Sequence, residues 1–439
     1  IYDGLTLRQR IGQRVMAGAF RAGDGIETET EILLTDYALS GVFIGPPEGI
    51  ALGAPVVTAR FVHQTKALGY ETTGVPLFVC LDQEGGPNAG VNSLTGGTDT
   101  IGSMPIGATG DPQVAYEQFD IMAREIALLG FNMDLGPVLD TLISTRHGNL
   151  NTRPFGPDPA LNAALGAAAV EALQMNRILA VGKHFPGDGW SSGNTHKVHV
   201  LVDADRAALD AVLLPPFKAA IAHGVDGIMT IPAAYAALDP DRAALASRAV
   251  TTDLLRGELG FEGLVVTDAL GMAGATIGLT EDQLPGLEAM KAGADLLLYV
   301  NFFPDQAEEL YSRIEEALES GALDAQEFEA GVKRVLRMKQ RYCLFEDPTA
   351  PNEAAIAAVS GQLARPEDAA LSRTHADQAV VLLHDDGVLP LTDERILYVG
   401  PGTIFSDPGS GWVNMLDQTF GDALATAGGA VDQVNAFLP

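Results

Sequence analysis

Cysteine is nearly missing from this chain. Cys80 and Cys343 are the only 2 in 439 residues, and no Cys-x-x-Cys occurs, which argues against a disulfide framework and against a thiolate zinc site. Basic residues are scarce too. Lys and Arg together number 27 against 57 Asp and Glu, a formal charge of −30, so nucleic acid and anionic membranes make poor partners for this surface. The acidic excess reads as a solvated shell. No run of about 18 apolar residues occurs, so no membrane-spanning helix is expected. The opening Ile1-Tyr2-Asp3-Gly4 has no basic region leading into an apolar stretch, and no signal peptide is expected in these residues. Cysteine usage is neutral between a secreted and a cytoplasmic location. No low-complexity tract is present.

What is present is enough apolar material for a large core, 47% of residues, in a chain whose length suggests about two to three domains. Short apolar runs recur at residues 14–20, 41–44, 76–82, 131–140, 178–184, 227–231, 264–268 and 295–300. Each has the length and composition of a strand buried on both faces. Helical patterns lie between them, at 113–129, 160–175, 206–223 and 251–259. The glycine-rich stretch 271–279 predicts a short or irregular helix in the seventh repeat. Strand and helix alternating eight times predict an α/β fold, a (β/α)8 TIM-type barrel over residues 1–345. Amphipathic residues 303–341 read as the closing helices. A linker is expected over 346–370, with a helix from about Pro366. A strand at 379–383, a turn at Asp385-Asp386-Gly387 and a strand at 396–399 then suggest that 371–439 open a small or truncated α/β second domain.

Polar residues collect at the ends of the predicted strands: Asp82 and Glu84, Asp140, Lys183 and His184, and Asp268. The densest stretch is Lys183-His184-Phe185-Pro186-Gly187-Asp188-Gly189, with His196 a few residues further on. A buried strand running into a Lys-His pair and a glycine-rich loop delivers polar groups to the carboxyl rim of a barrel, where such folds bind ligands. Asp268 ends the strand Leu264-Val265-Val266-Thr267. A carboxylate leaving an apolar strand is either a cap for a helix just after it or a reactive group.

Taken in order, these segments resemble glycoside hydrolase family 3. The resemblance rests on Asp82-Gln83-Glu84-Gly85-Gly86, Gly136-Pro137-Val138-Leu139-Asp140, Arg153-Pro154-Phe155-Gly156, Lys183 to Gly187 with His196, Gly260 to Met272 around Asp268, and Ala292-Gly293-Ala294-Asp295. It covers residues 5–345 and continues weakly through Ala379–Leu383 and Gly387–Leu391.

The resemblance implies a retaining β-glycosidase with Asp268 as nucleophile, forming a glycosyl-enzyme that a second molecule opens. Family β-glucosidases usually take their acid/base glutamate from deep in the second domain. The β-N-acetylglucosaminidases use a loop histidine, which His196 matches, and an imidazole titrates near neutral pH. Lys183, His184, Arg153 and Asp82 match residues that contact sugar hydroxyls. Glu84 and Asp140 read as mainly structural. No metal or organic cofactor is needed for this chemistry, and the implied partner is a carbohydrate.

The chain departs from the acetylglucosaminidase pattern at several positions. Asn194 stands where an aspartate paired with the histidine is expected. It is able to orient His196 but brings no charge to stabilise an imidazolium. Asp188 replaces a usual histidine, Pro87 and Gly90 replace usual arginines, and Pro232 stands where a histidine is common. Asp188 is therefore a candidate source of the missing charge, and Trp190 a candidate for stacking on a sugar face. The leading expectation is an exo-β-N-acetylhexosaminidase using water, or phosphate, as acceptor. The alternatives are a β-glucosidase of the same family, favoured by Gly187-Asp188-Gly189, and a carbohydrate-binding homologue whose catalysis has decayed.

Overall fold

Alternation along the apolar runs determines what the strands carry inward. In a strand, residues two apart share a face. Leu179 and Val181 lie on one face of their run, so Lys183 is next on that face. Leu264 and Val266 lead in the same way to Asp268, and Phe78 and Cys80 lead to Asp82. The computed structural model, which describes residues 1–45, 52–143, 149–191, 193–346 and 353–381, shows that this face is the inside of a barrel. Met16, Phe43, Phe78, Cys80, Met133, Leu135, Leu179, Val181, Met229, Leu264, Val266, Leu296 and Leu298 form one interior cluster. The intervening residues, among them Val79, Ala180 and Val265, join a larger outer cluster beneath the helices.

The eight strands are β1 (Val15–Gly18), β2 (Gly41–Phe43), β3 (Phe78–Leu81), β4 (Met133–Asp134), β5 (Leu179–Phe185), β6 (Gly227–Thr230), β7 (Leu264–Thr267) and β8 (Leu297–Tyr299). They form one parallel sheet in the order β7-β6-β5-β4-β3-β2-β1-β8. A parallel bridge between Val266 and Leu296 closes the seam. All eight coincide with the apolar runs, and the fold is the expected (β/α)8 barrel.

The main helices between and after the strands are α1 (Thr28–Asp36), α2 (Pro55–Thr73), α3 (Pro112–Leu128), α4 (Pro159–Met175), α5 (Pro215–Ala222), α6 (Ala249–Glu258, wound as a π-helix), α7 (Pro285–Ala292) and α8 (Pro304–Ser320). Proline opens most of them, at a position where its missing N–H costs nothing and its fixed φ suits the helix. Asp111 and Asp158 cap α3 and α4 by accepting from backbone N–H groups. The pattern at 206–223 does not form one helix. Arg206–Ala208 is followed by a π-helical turn, Leu209–Leu213, before α5 begins at Pro215, because the Pro215-Pro216 pair cannot continue the hydrogen-bond ladder. The glycine-rich seventh connection holds a 3-10 turn, Ala273–Thr276, ahead of the short α7.

A further helix, α9 (Ala325–Arg341), closes the amino-terminal end of the barrel. Its Val335 and Met338 join the interior cluster. The fully buried Lys339 Nζ donates to Gln13 Oε1 and to the Ser40 carbonyl, 2.8 Å each. Nearby, Arg14 Nε donates to the Asp295 carbonyl at 2.6 Å, and the Asp295 carboxylate pairs with Arg256 at 2.5 Å and Arg334 at 2.9 Å.

Residues 353–380 belong to the same compact unit as the barrel. A short helix, Glu353–Ala358, precedes α10 (Pro366–Gln378). Asp368 on α10 pairs with Arg124 of α3 at 3.0 Å, and the buried His375 contacts Gln118 and Glu117 at 2.9 and 3.0 Å. Residues 379–381, the described part of the strand expected at 379–383, form no strand. The turn at 385–387 and the strand expected at 396–399 lie outside the described residues.

Candidate active site

A cavity of about 130 Å³ opens at the carboxyl ends of the strands. Its floor is the top of the interior cluster: Phe43, Leu135, Met229 and Leu298. Its polar wall holds Asp82, Arg153, Lys183, His184, Asp188, His196 and Asp268. Seven of the nine residues singled out from the sequence thus line one cavity; Asn194 and Trp190 do not.

Lys183 and Arg153 are held by a buried ion cluster. Lys183 Nζ lies 2.6 Å from Asp82 Oδ1 and 2.6 Å from Glu84 Oε1. Arg153 forks onto Glu84, with Nε to Oε2 and Nη2 to Oε1, 2.8 Å each. Glu84 is 2% exposed. Burial alone would raise its pKa, but the Arg153 and Lys183 charges prevail and hold it well below the usual carboxylate range. The same bonds act in reverse on the cations. Burial opposes the charge on Lys183, yet Asp82 and Glu84 raise its pKa, and Glu84 does the same for Arg153. Both side chains stay charged donors at the cavity wall.

His184 is fixed from behind. Its Nδ1 is 2.7 Å from Asp140 Oδ2, and its Nε2 is 3.4 Å from Arg153 Nη2. A guanidinium only donates, so this geometry suits the tautomer with its proton on Nδ1, facing Asp140. Asp140 also accepts the backbone N–H of Asp188 at 2.7 Å. Burial pushes the Asp140 carboxyl up, but the His184 ring and these backbone donors bring it below its ordinary value. Asp140 and Glu84 are thus the supports of the donors that line the cavity.

Asp268 continues the inner row of β7. Its backbone N–H still pairs with the Thr230 carbonyl at 2.9 Å, and its Oδ1 accepts from the N–H of Ala269 at 2.7 Å. It does not cap a helix, since the next helical turn starts at Ala273 with Met272 at the cap position. No cation pairs with it among the described residues, and it lines the cavity wall.

His196 sits on a tight turn. Lys197 and Val198 both donate backbone N–H to the Asn194 carbonyl, at 3.0 and 3.1 Å, and His196 N donates to Asn194 Oδ1 at 3.0 Å. Asn194 therefore holds the main chain of His196 rather than its ring, as a helix-capping side chain does. The imidazole has no hydrogen-bond partner among the described residues. Asp188 is buried on the same cavity wall and accepts from Ser191 Oγ at 2.9 Å. Trp190 is half-buried and packs against the outer core. Pro87 lies in a 3-10 turn, Gly86–Asn88, and neither it nor Gly90 nor Pro232 reaches the cavity. Sequence reasoning passed over Asn149, Thr195 and the apolar floor. Among the described residues no group of acidic, histidine or cysteine side chains is arranged to hold a metal ion.

Residues 6–338 match the family model for the glycosyl hydrolase family 3 N-terminal domain. A β-N-acetylglucosaminidase/β-glucosidase of Cellulomonas fimi is 32% identical over 372 residues, 82% of this chain and 63% of that protein. A β-hexosaminidase A of Pseudoalteromonas piscicida is 29% identical over 89% of this chain and 69% of its own length. The chain therefore spans about two thirds of these relatives. Among solved structures, a family 3 β-N-acetylglucosaminidase from Paenibacillus sp. str. FPU-7 superposes with a TM-score of 0.81 at 31% identity, covering 89% of this chain and 72% of that one. A β-N-acetylhexosaminidase from Beutenbergia cavernae gives 0.68 at 30%, covering 76% and 99%. A barrel with Asp268 at the end of β7, and a family model that runs from ahead of β1 into α9, lead to one conclusion: the chain belongs to glycosyl hydrolase family 3.

Proposed function

We propose that this chain is a retaining exo-β-N-acetylhexosaminidase that releases terminal β-linked N-acetylglucosamine. The observation that carries the reading is that Asp268 and His196, from different barrel loops, line one small cavity with four sugar-binding candidates. Asp268 attacks the anomeric carbon while the protonated His196 gives its proton to the leaving oxygen. Neutral His196 then takes a proton from the incoming water, which opens the glycosyl-enzyme. Lys183, Arg153, His184 and Asp82 bind ring hydroxyls. The cavity is smaller than the roughly 300–1,000 Å³ of drug-sized sites, which suits one sugar ring and exo action. The names of the Cellulomonas, Pseudoalteromonas and Paenibacillus relatives support the same substrate class.

The decisive experiment is a panel of aryl glycosides with and without phosphate, run on wild type and Asp268→Asn. The reading expects turnover of the N-acetylglucosaminide, a fall of at least about a thousandfold in Asp268→Asn, and a trapped adduct on Asp268 with a fluorinated sugar. A β-glucosidase reading is favoured by Asp188 in the cavity wall and by the double name of the Cellulomonas relative. Faster turnover of the glucoside would establish it. Sugar binding without turnover or adduct would instead identify a binding protein. The second domain, read from residue 371 onward, belongs to the same proposal.

A further inference from the structure

The turn that carries His196 is attached to the loop that follows Asp268. Gly274 N donates to the Thr195 carbonyl at 3.0 Å, Ala273 N donates to the His196 carbonyl at 3.4 Å, and His199 Nε2 lies 3.1 Å from Thr276 Oγ1. Thr276 has one hydroxyl proton, and it goes to the Ala273 carbonyl at 2.9 Å. Thr276 Oγ1 therefore accepts from a protonated His199 Nε2.

Both parts of this joint are anchored elsewhere. The β7 loop is held by Leu270 N donating to the Leu298 carbonyl at 2.9 Å. Gly274 is packed so closely against the Pro232 carbonyl that a Cβ would collide with it. The segment after His196 is held by the parallel pairing of Leu201–Val202 with Ala234–Tyr235, and Tyr235 Oη donates to the Gly187 carbonyl at 2.9 Å. Three bonds thus connect two loops, one bearing the candidate nucleophile and the other the candidate proton donor.

We propose that the loop after Asp268 braces the turn carrying His196, and that Gly274, Thr276 and His199 are positioning residues for proton transfer, an inference that rests on His196 being the acid/base group. Asp268 has its own anchors on β6 and through Leu270, so weakening the brace displaces the proton donor and leaves the nucleophile in place. The signature is dependence on the leaving group. An alkyl or sugar aglycone needs a proton to depart, whereas a dinitrophenolate departs without one.

The test measures kcat/KM for alkyl and dinitrophenyl glycosides of whichever sugar the wild type turns over. Thr276→Val should lower the alkyl value by about two- to fivefold, the worth of one partly solvated hydrogen bond, and leave the dinitrophenyl value unchanged. Thr276→Ser should restore it, and His199→Ala should reproduce the loss. Gly274→Ala, whose Cβ would collide with the Pro232 carbonyl and so shift Gly274 N from the Thr195 carbonyl, should cost about a hundredfold on the alkyl substrate and much less on the other. Equal losses on both substrates, or no loss on the alkyl glycoside in any brace variant, would overturn the proposal. His196→Ala is the control. If it shows no leaving-group dependence, the acid/base reading itself fails. If it does and the brace variants do not, only the brace fails.

Discussion

Glu84 does not line the cavity, yet it joins Lys183 to Arg153, and replacing it with glutamine tests how the site is built. The substitution keeps the shape and removes the charge. Lys183, 2% exposed, would keep Asp82 but lose its 2.6 Å partner, and Arg153 would lose one arm of its fork. Taking one partner from a buried ion pair costs about 3–5 kcal/mol, a large part of the roughly 5–15 kcal/mol that holds a domain together. Urea unfolding of Glu84→Gln at pH 7 should show a loss near the lower end, because the amide oxygen still accepts one bond. The pH dependence supplies a second check. The folded pKa of Glu84 lies below its unfolded value, so the stabilisation is full above the unfolded pKa of about 4.3 and is lost as pH falls below it. The gap between wild type and Glu84→Gln should therefore narrow under acid conditions. With both donors loosened, kcat/KM should fall by about a hundredfold, since displacing a substrate-positioning group by an ångström has that cost. A variant within about 1 kcal/mol of wild type and with unchanged kcat/KM would refute the role given to Glu84.

Asp188→Ala should lower kcat/KM, because the Asp188 side chain lines the cavity wall and accepts from Ser191 Oγ; unchanged turnover removes Asp188 from the site. Trp190→Ala should cost about 2–3 kcal/mol by urea unfolding, as a partly buried aromatic does, with KM for the sugar unchanged. A raised KM at full stability would restore the stacking role. Burial, helped by Lys66, lowers the His63 imidazole to about 4. Its folded pKa thus lies below the unfolded value of about 6.5, and stability should fall by up to about 3 kcal/mol as pH drops from 6.5 toward 4. His63→Gln should remove that component, and an identical pH slope in the variant would contradict it.

The strands are legible because each is covered on both faces and so reads as an unbroken apolar run. Period-2 alternation then carries Asp82, Lys183 and Asp268 to the inner row, which is why the cavity wall can be named from strand ends. The supports are harder to read. Glu84 meets Arg153, 69 positions away, and Asp140 meets His184, 44 away, and nothing local in the chain encodes either pairing. Asn194 is expected from the sequence to meet the ring of His196. A short side chain in a tight turn bonds more readily to the nearby main chain. The break before α5 is visible as Pro215-Pro216 but is overridden by the apolar periodicity around it. The contact of Gly274 with Thr195 is signalled only by the run of small residues after Met272.

Helix α9 stands outside the eightfold repeat, yet it stoppers the barrel from beneath. Val335 and Met338 fill the space under the interior side chains, and Lys339 grips the turns that lead into β1 and β2. Arg334 meanwhile helps surround the carboxylate at the foot of β8. The minimal barrel fragment therefore cannot be cut where the eighth repeat ends at Ser320. It must run through Arg341, or water gains entry to the barrel interior from the side opposite the cavity.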